Sequence, residues 1–166
     1  MLWPTTSVRI PVPERSVEHD TIVVERRYAA SPQRVYQAWV EPEGRDRWDV
    51  PGHGWEYVTE ERDVRPGGRD VIRFGPPGAL DFRGDTTYVD LVEDERIVCT
   101  YTVTELEVLL SVSLLTVEVH PDGAGTQMVV TEQVAFLGGR DTPAARLAGL
   151  DEMFDGLARH LGEEPT

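Results

Sequence analysis

Hydrophobic and polar positions follow two different periods along the chain, and the change of period marks out its elements. Ile22, Val24, Arg26 and Tyr28 alternate with Val23, Glu25 and Arg27, the two-residue period of a half-buried strand rich in branched side chains. Ser31-Pro32 then predicts a helix start, because Ser caps a first turn and Pro is tolerated at the first helical position. Val35 and Trp39, four residues apart, share one face of that helix. Pro42 and Gly44 end it, and a second short helical turn runs to Trp48. Strand-like segments follow over 55–65, 71–74, 86–92, 96–103, 109–119 and 126–136. They are separated by Pro66-Gly67-Gly68, Pro76-Pro77-Gly78, Glu93-Asp94-Glu95 and Pro121-Asp122-Gly123. Such short connections join antiparallel neighbours, since a parallel pair needs a long crossover. After Thr142-Pro143 the period lengthens: Leu147, Leu150, Phe154, Leu157 and Leu161 recur at steps of three and four. Glu152, Asp155 and Arg159 lie largely off that stripe, which predicts an amphipathic helix of about five turns.

A strand, two short helices, a strand meander and a long closing helix make an α+β domain of two layers. Its sheet is expected to hold about six or seven strands, curved around the last helix. Residues 1–16, with Pro4, Pro11 and Pro13, read as an extended N-terminal arm, and 17–166 as a single domain.

Several stretches carry a family likeness. They are Ile22 to Tyr28 followed by Ala30-Ser31-Pro32, then Val35, Ala38, Trp39, Pro42 and Trp48. The turn Asp63-Val64-Arg65-Pro66-Gly67-Gly68, the strand entry Glu95-Arg96-Ile97-Val98, and Gly149-Leu150 with Leu157 and Leu161 complete the set. In order and spacing the chain resembles the START-like, or SRPBCC, helix-grip superfamily. Within it, the chain is similar to bacterial relatives of the C-terminal domain of the activator of the ninety-kilodalton heat-shock protein ATPase. The likeness spans roughly 21–161. It departs at Asp49, where the family often has a second Trp, at Asp70, where an aromatic is usual, and at Leu150, which replaces a Trp.

The resemblance implies a curved sheet gripping the closing helix, with an internal cavity that binds a small hydrophobic or aromatic molecule. Helix-grip relatives also include polyketide aromatase/cyclases, so a cavity enzyme of that kind is an alternative. Stimulation of a chaperone ATPase, the activity in the family's name, is a third. Candidate ligand-binding residues are Trp39, Trp48, Trp55, Ile72, Phe74, Tyr88, Tyr101, Glu132, Leu150, Met153 and Phe154. Core packing is the competing role for each aromatic.

Polar residues inside apolar periods are the candidate chemistry. Arg26 falls in the set of Ile22, Val24 and Tyr28, and Glu132 in that of Met128, Val130 and Val134. A charge on a core face needs a partner. The two are expected to serve a bound molecule, or to form structural ion pairs. His53, between Gly52 and Gly54, is the titratable loop residue suited to acid–base work. Arg26, Glu132 and His53 are thus the catalytic candidates. Asp63 and Arg65 either clamp the Gly67-Gly68 turn or meet a polar ligand group.

Composition narrows the partners. A net charge of −14 repels nucleic-acid phosphates and anionic lipid, so no nucleic-acid partner is expected. No apolar run is long enough for a membrane span, and Met1 to Thr5 lack the charged and apolar regions of a secretory signal, so none is expected. One cysteine, Cys99, allows no internal disulfide and suits a reducing cytoplasm, where it reads as a small core hydrophobe. His19, His53, His120 and His160 lack metal-ligand spacing, and no nucleotide loop is present, so neither a metal nor a cofactor is expected. A homodimer through an exposed strand edge is compatible with the pattern.

Overall fold

Strand alternation and turn chemistry build one antiparallel sheet, with helices on a single face of it. The computed structural model describes residues 16–50, 54–138 and 141–165. The elements are β1 (Glu18–Tyr28), α1 (Pro32–Val40), α2 (Pro42–Trp48), β2 (Glu56–Arg62), β3 (Arg69–Gly75), β4 (Phe82–Val92), β5 (Arg96–Glu105), β6 (Val108–Asp122), β7 (Gly125–Phe136) and α3 (Pro143–Leu161). The expected N-terminal arm lies almost wholly outside the described residues. The seven strands order as β1-β7-β6-β5-β4-β3-β2. Strands β2 to β7 therefore form a continuous meander, and β1 joins its far edge by pairing Ile22 with Glu132 and Val24 with Val130. This is the two-layer α+β domain that the sequence pattern predicts, in the helix-grip form that the resemblance implies.

The helix ends follow their local chemistry. Ser31 caps α1 by accepting the Arg34 N–H at 3.4 Å, with Pro32 behind it. Thr142 caps α3 by accepting the Ala145 N–H at 3.2 Å, and Gly162 closes it at φ 84°. The Asp63–Gly68 turn also has a steric cause. A Cβ on Gly68 would lie 2.0 Å from the Asp63 carbonyl oxygen, so only glycine closes it.

Inward alternation places the main core. Met128, Val130 and Val134 of β7 and Leu115, Val117 and Val119 of β6 are buried together with Leu150, Phe154, Leu157 and Leu161 of α3. Val35 and Trp39 of α1 complete the layer, and Trp48 closes over Trp39 with ring centroids 4.8 Å apart. The helical stripe holds for four of its five members. Leu147 is 41% exposed, and its neighbour Arg146 turns inward instead.

Helix α3 packs on β1, α1 and α2, and makes no comparable packing on β2, β3 or β4. A second, smaller apolar cluster, which no α3 side chain joins, consists of Phe74, Val103 and Leu110 with Trp55, Tyr57, Ile72, Phe82 and Tyr101 against them. Among the described residues no helix is long and apolar enough to cross a membrane.

Candidate functional site

Two polar centres and one aromatic shelf occupy the concave face. The first centre is built on Glu132. Alternation along β7 turns its side chain to the same side as Val130 and Val134, and it is fully buried. Tyr101 of β5 and Ser113 of β6 each donate a hydroxyl hydrogen bond to Glu132 Oε1 at 2.6 Å. Arg146, on the first turn of α3, donates Nη1 to the same oxygen and to the Tyr101 hydroxyl, the latter at 2.6 Å. Its Nη2 bonds Asp141 and, at 2.8 Å, the Ser111 hydroxyl. The guanidinium lies over the Tyr101 ring at 5.5 Å and the Phe136 ring at 5.7 Å. Glu132 Oε2 is buried with no hydrogen-bond partner among the described residues.

The electrostatics follow from that packing. Burial first, then the neighbouring Glu132 charge, pushes the Tyr101 phenol well above its ordinary range, so it stays a donor. Burial works against the Arg146 charge, but Tyr101, Glu132 and Asp141 outweigh it and hold the guanidinium ionised.

The shelf adjoins this centre. Trp55, Phe74 and Phe82 stack in a triangle, with centroid separations of 6.1 Å, 5.3 Å and 5.5 Å. Tyr101 packs against both apolar clusters and so links the shelf to Glu132.

The second polar centre holds α2 to the sheet. Arg45 donates to Asp49 at 2.7 Å and to the Tyr88 hydroxyl at 2.6 Å, and Tyr88 donates to Asp70 at 3.2 Å. Arg62 reaches Asp70 at 3.1 Å and also bonds Asp46 and Tyr57. Burial raises the Asp49 carboxyl pKa against the pull of Arg45, and burial raises the Tyr88 phenol as well.

The predicted residues divide between these regions. Trp39, Trp48, Tyr88, Leu150 and Phe154 are buried side chains of the main core, and Met153 packs partly buried against it. Trp55, Ile72, Phe74 and Tyr101 belong to the shelf, and Glu132 stands at its polar end. Arg26 and Glu132 do not act as a pair. Arg26 lies opposite Met128 in the ladder and bonds Asp151 of α3 at 2.5 Å, while Glu132 bonds Arg146. Each charge found its counter-ion on α3, which sequence alternation cannot show. His53 lies outside the described residues. Asp63 and Arg65 form an exposed ion pair at 2.9 Å at the start of the turn that Gly67-Gly68 closes.

The sequence reading missed Arg146, Asp141, Ser111, Ser113, Arg45, Asp49 and Arg62. A signal existed for two of them. Ser111 and Ser113 continue the inward set of Leu115, Val117 and Val119, a polar end on an apolar stripe. An open cleft of about 690 Å³ lies between α2 and the outer side of α3, bordered by Arg47, Trp48, Trp55, Glu152, Arg159 and His160. Among the described residues no group of three or more His, Cys, Asp or Glu side chains could hold a metal ion.

Comparison with known proteins adds the following. The model of the family described as "Activator of Hsp90 ATPase homolog 1-like protein" matches residues 29–162. No curated protein matches the chain. Among solved structures, protein Mll3558 from Rhizobium loti is 38% identical, with a TM-score of 0.78 over 88% of this chain and 99% of that one. A protein from Rhizobium leguminosarum is 33% identical, with a TM-score of 0.76 over 88% and 96%. Protein CV1439 from Chromobacterium violaceum, at 24% identity and a TM-score of 0.71 over 84% and 96%, shares the fold.

Proposed function

The chain belongs to the Activator of Hsp90 ATPase homolog 1-like protein family, and from that premise we propose that it binds a small hydrophobic or aromatic molecule on the shelf of Trp55, Phe74 and Phe82. One observation carries this reading. Three stacked rings belong to an apolar cluster that no α3 side chain joins, although the same helix buries four leucine and phenylalanine side chains in the main core. Aromatic side chains gathered beside a few oriented polar groups are the usual lining of a small-molecule site. Fold alone does not assign a ligand, so the argument rests on the shelf.

The aromatase/cyclase alternative calls for a polar pair beside one substrate, such as Arg26 and Glu132. They bond different partners, so binding without turnover is the reading retained.

Nile red, a neutral apolar dye, tests the proposal. Its emission is expected to shift to the blue on titration with the protein. Phe82→Ala should weaken binding about tenfold, the loss of roughly 1.4 kcal/mol of ring contact. No blue shift, or an affinity unchanged from the unmutated protein in both Phe82→Ala and Phe74→Ala, would end the shelf reading.

A further inference from the structure

We propose that the molecule bound on the aromatic shelf carries a hydrogen-bond donor head, best a protonated amine, which Glu132 Oε2 accepts. The inference rests on the shelf reading and extends it to the class of ligand.

The argument begins with an imbalance. Glu132 Oε1 accepts from Tyr101, Ser113 and Arg146, while the second oxygen of the same carboxylate, equally buried, accepts from no group among the described residues. A buried carboxylate oxygen without a donor is costly, and native proteins rarely keep one without a purpose. An ionised carboxylate can only accept, so what completes it must donate. Among the described residues, Glu132 and Asp141 also share a single guanidinium, that of Arg146. A cationic donor therefore suits the place better than a neutral one, and an anion is repelled.

Position ties the head to the body. Tyr101 touches both the shelf cluster and Glu132, so a ligand lying on Phe74 and Phe82 has its near end directed past the Tyr101 ring. Glu132 is fully buried, so entry requires that ring or the Arg146 side chain to shift. Arg146 can shift without losing every partner, because Asp141 and Ser111 hold its other nitrogen.

Calorimetry with three naphthalenes of one size tests this. The ranking expected is 1-naphthylmethylamine tighter than 1-methylnaphthalene by about tenfold or more, with 1-naphthoate weakest. Because the whole chain is acidic, the amine's advantage must also survive 0.5 M salt, which screens a surface attraction but not a buried one. Glu132→Gln should erase the advantage while leaving 1-methylnaphthalene within about twofold. The wild-type ranking stands as a test even if that variant does not fold. If the hydrocarbon binds and the amine binds no tighter, or its advantage vanishes in salt, the donor inference fails and the shelf stands. If no naphthalene binds, both fail.

Discussion

The two buried guanidinium centres are made from similar parts and end differently. Around Arg45 and Arg62, the carboxylates of Asp46, Asp49 and Asp70 and the hydroxyls of Tyr57 and Tyr88 close on one another. Among the described residues no buried polar side-chain atom there lacks a partner. Around Arg146, two hydroxyls and the guanidinium crowd one oxygen of Glu132 and leave the other bare. A closed network holds elements in register; an open one has capacity left for a guest. The positions agree with that division. The closed centre joins α2 to β2, β3 and β4, whereas the open one sits where the shelf meets the first turn of α3.

Mutation can break this contrast. Asp70→Ala removes the acceptor shared by Arg62 and Tyr88 and leaves a hole in a buried network, with Arg62 still held by Asp46 and Tyr57, so it should cost about 3 kcal/mol in urea unfolding. Glu132→Gln keeps the shape and leaves Arg146 its bond to Asp141, so the loss should be only about 1–2 kcal/mol. If Glu132→Gln proved as damaging as Asp70→Ala, the open centre would be structural and the contrast would dissolve.

Alkali sharpens it from the other side. Burial pushes the Tyr57 phenol of the closed centre from 10.0 up to about 12, and burial pushes the Cys99 thiol up to about 12. In both, the folded chain favours the protonated form. Stability from these groups is thus complete below their unfolded pKa values and declines as pH rises towards about 12. Melting curves between pH 9 and 12 should show that decline, and Tyr57→Phe should make it shallower. An unchanged slope would mean that Tyr57 does not sense the closed centre. The smallest effect belongs to neither centre. Arg65→Ala cuts an exposed ion pair and should change stability by less than about 0.5 kcal/mol.

Much of the architecture could be read from period and punctuation, because those signals are local. The meander, the capped helices and the Gly67-Gly68 turn each depend on neighbours within a few residues. The site was legible only in halves. Glu132 stood out as a charge in an apolar alternation, but its partner Arg146 lies beside Leu147, which the helical stripe assigns to the core. Which of two adjacent helix positions faces inward is decided by what waits on the sheet, here a carboxylate and two serines. Asp70 gave a similar half-signal. It shares a face with Ile72 and Phe74, yet its donors come from β2 and β4, through Arg62 and Tyr88.

The pairing of β1 with β7 also sets the order of events during synthesis. Each hairpin of the meander can close soon after its second strand emerges, but Ile22 must wait for Glu132 before its backbone is satisfied. The exit of β1 waits longer still, because the N–H groups of Ala29 and Ala30 are held at 2.9 Å by the Glu163 carboxylate. The first strand made is thus the last one secured. Until β7 has been translated, a nascent Ile22-Val23-Val24 segment carries an unpaired edge open to adhesion by other strands.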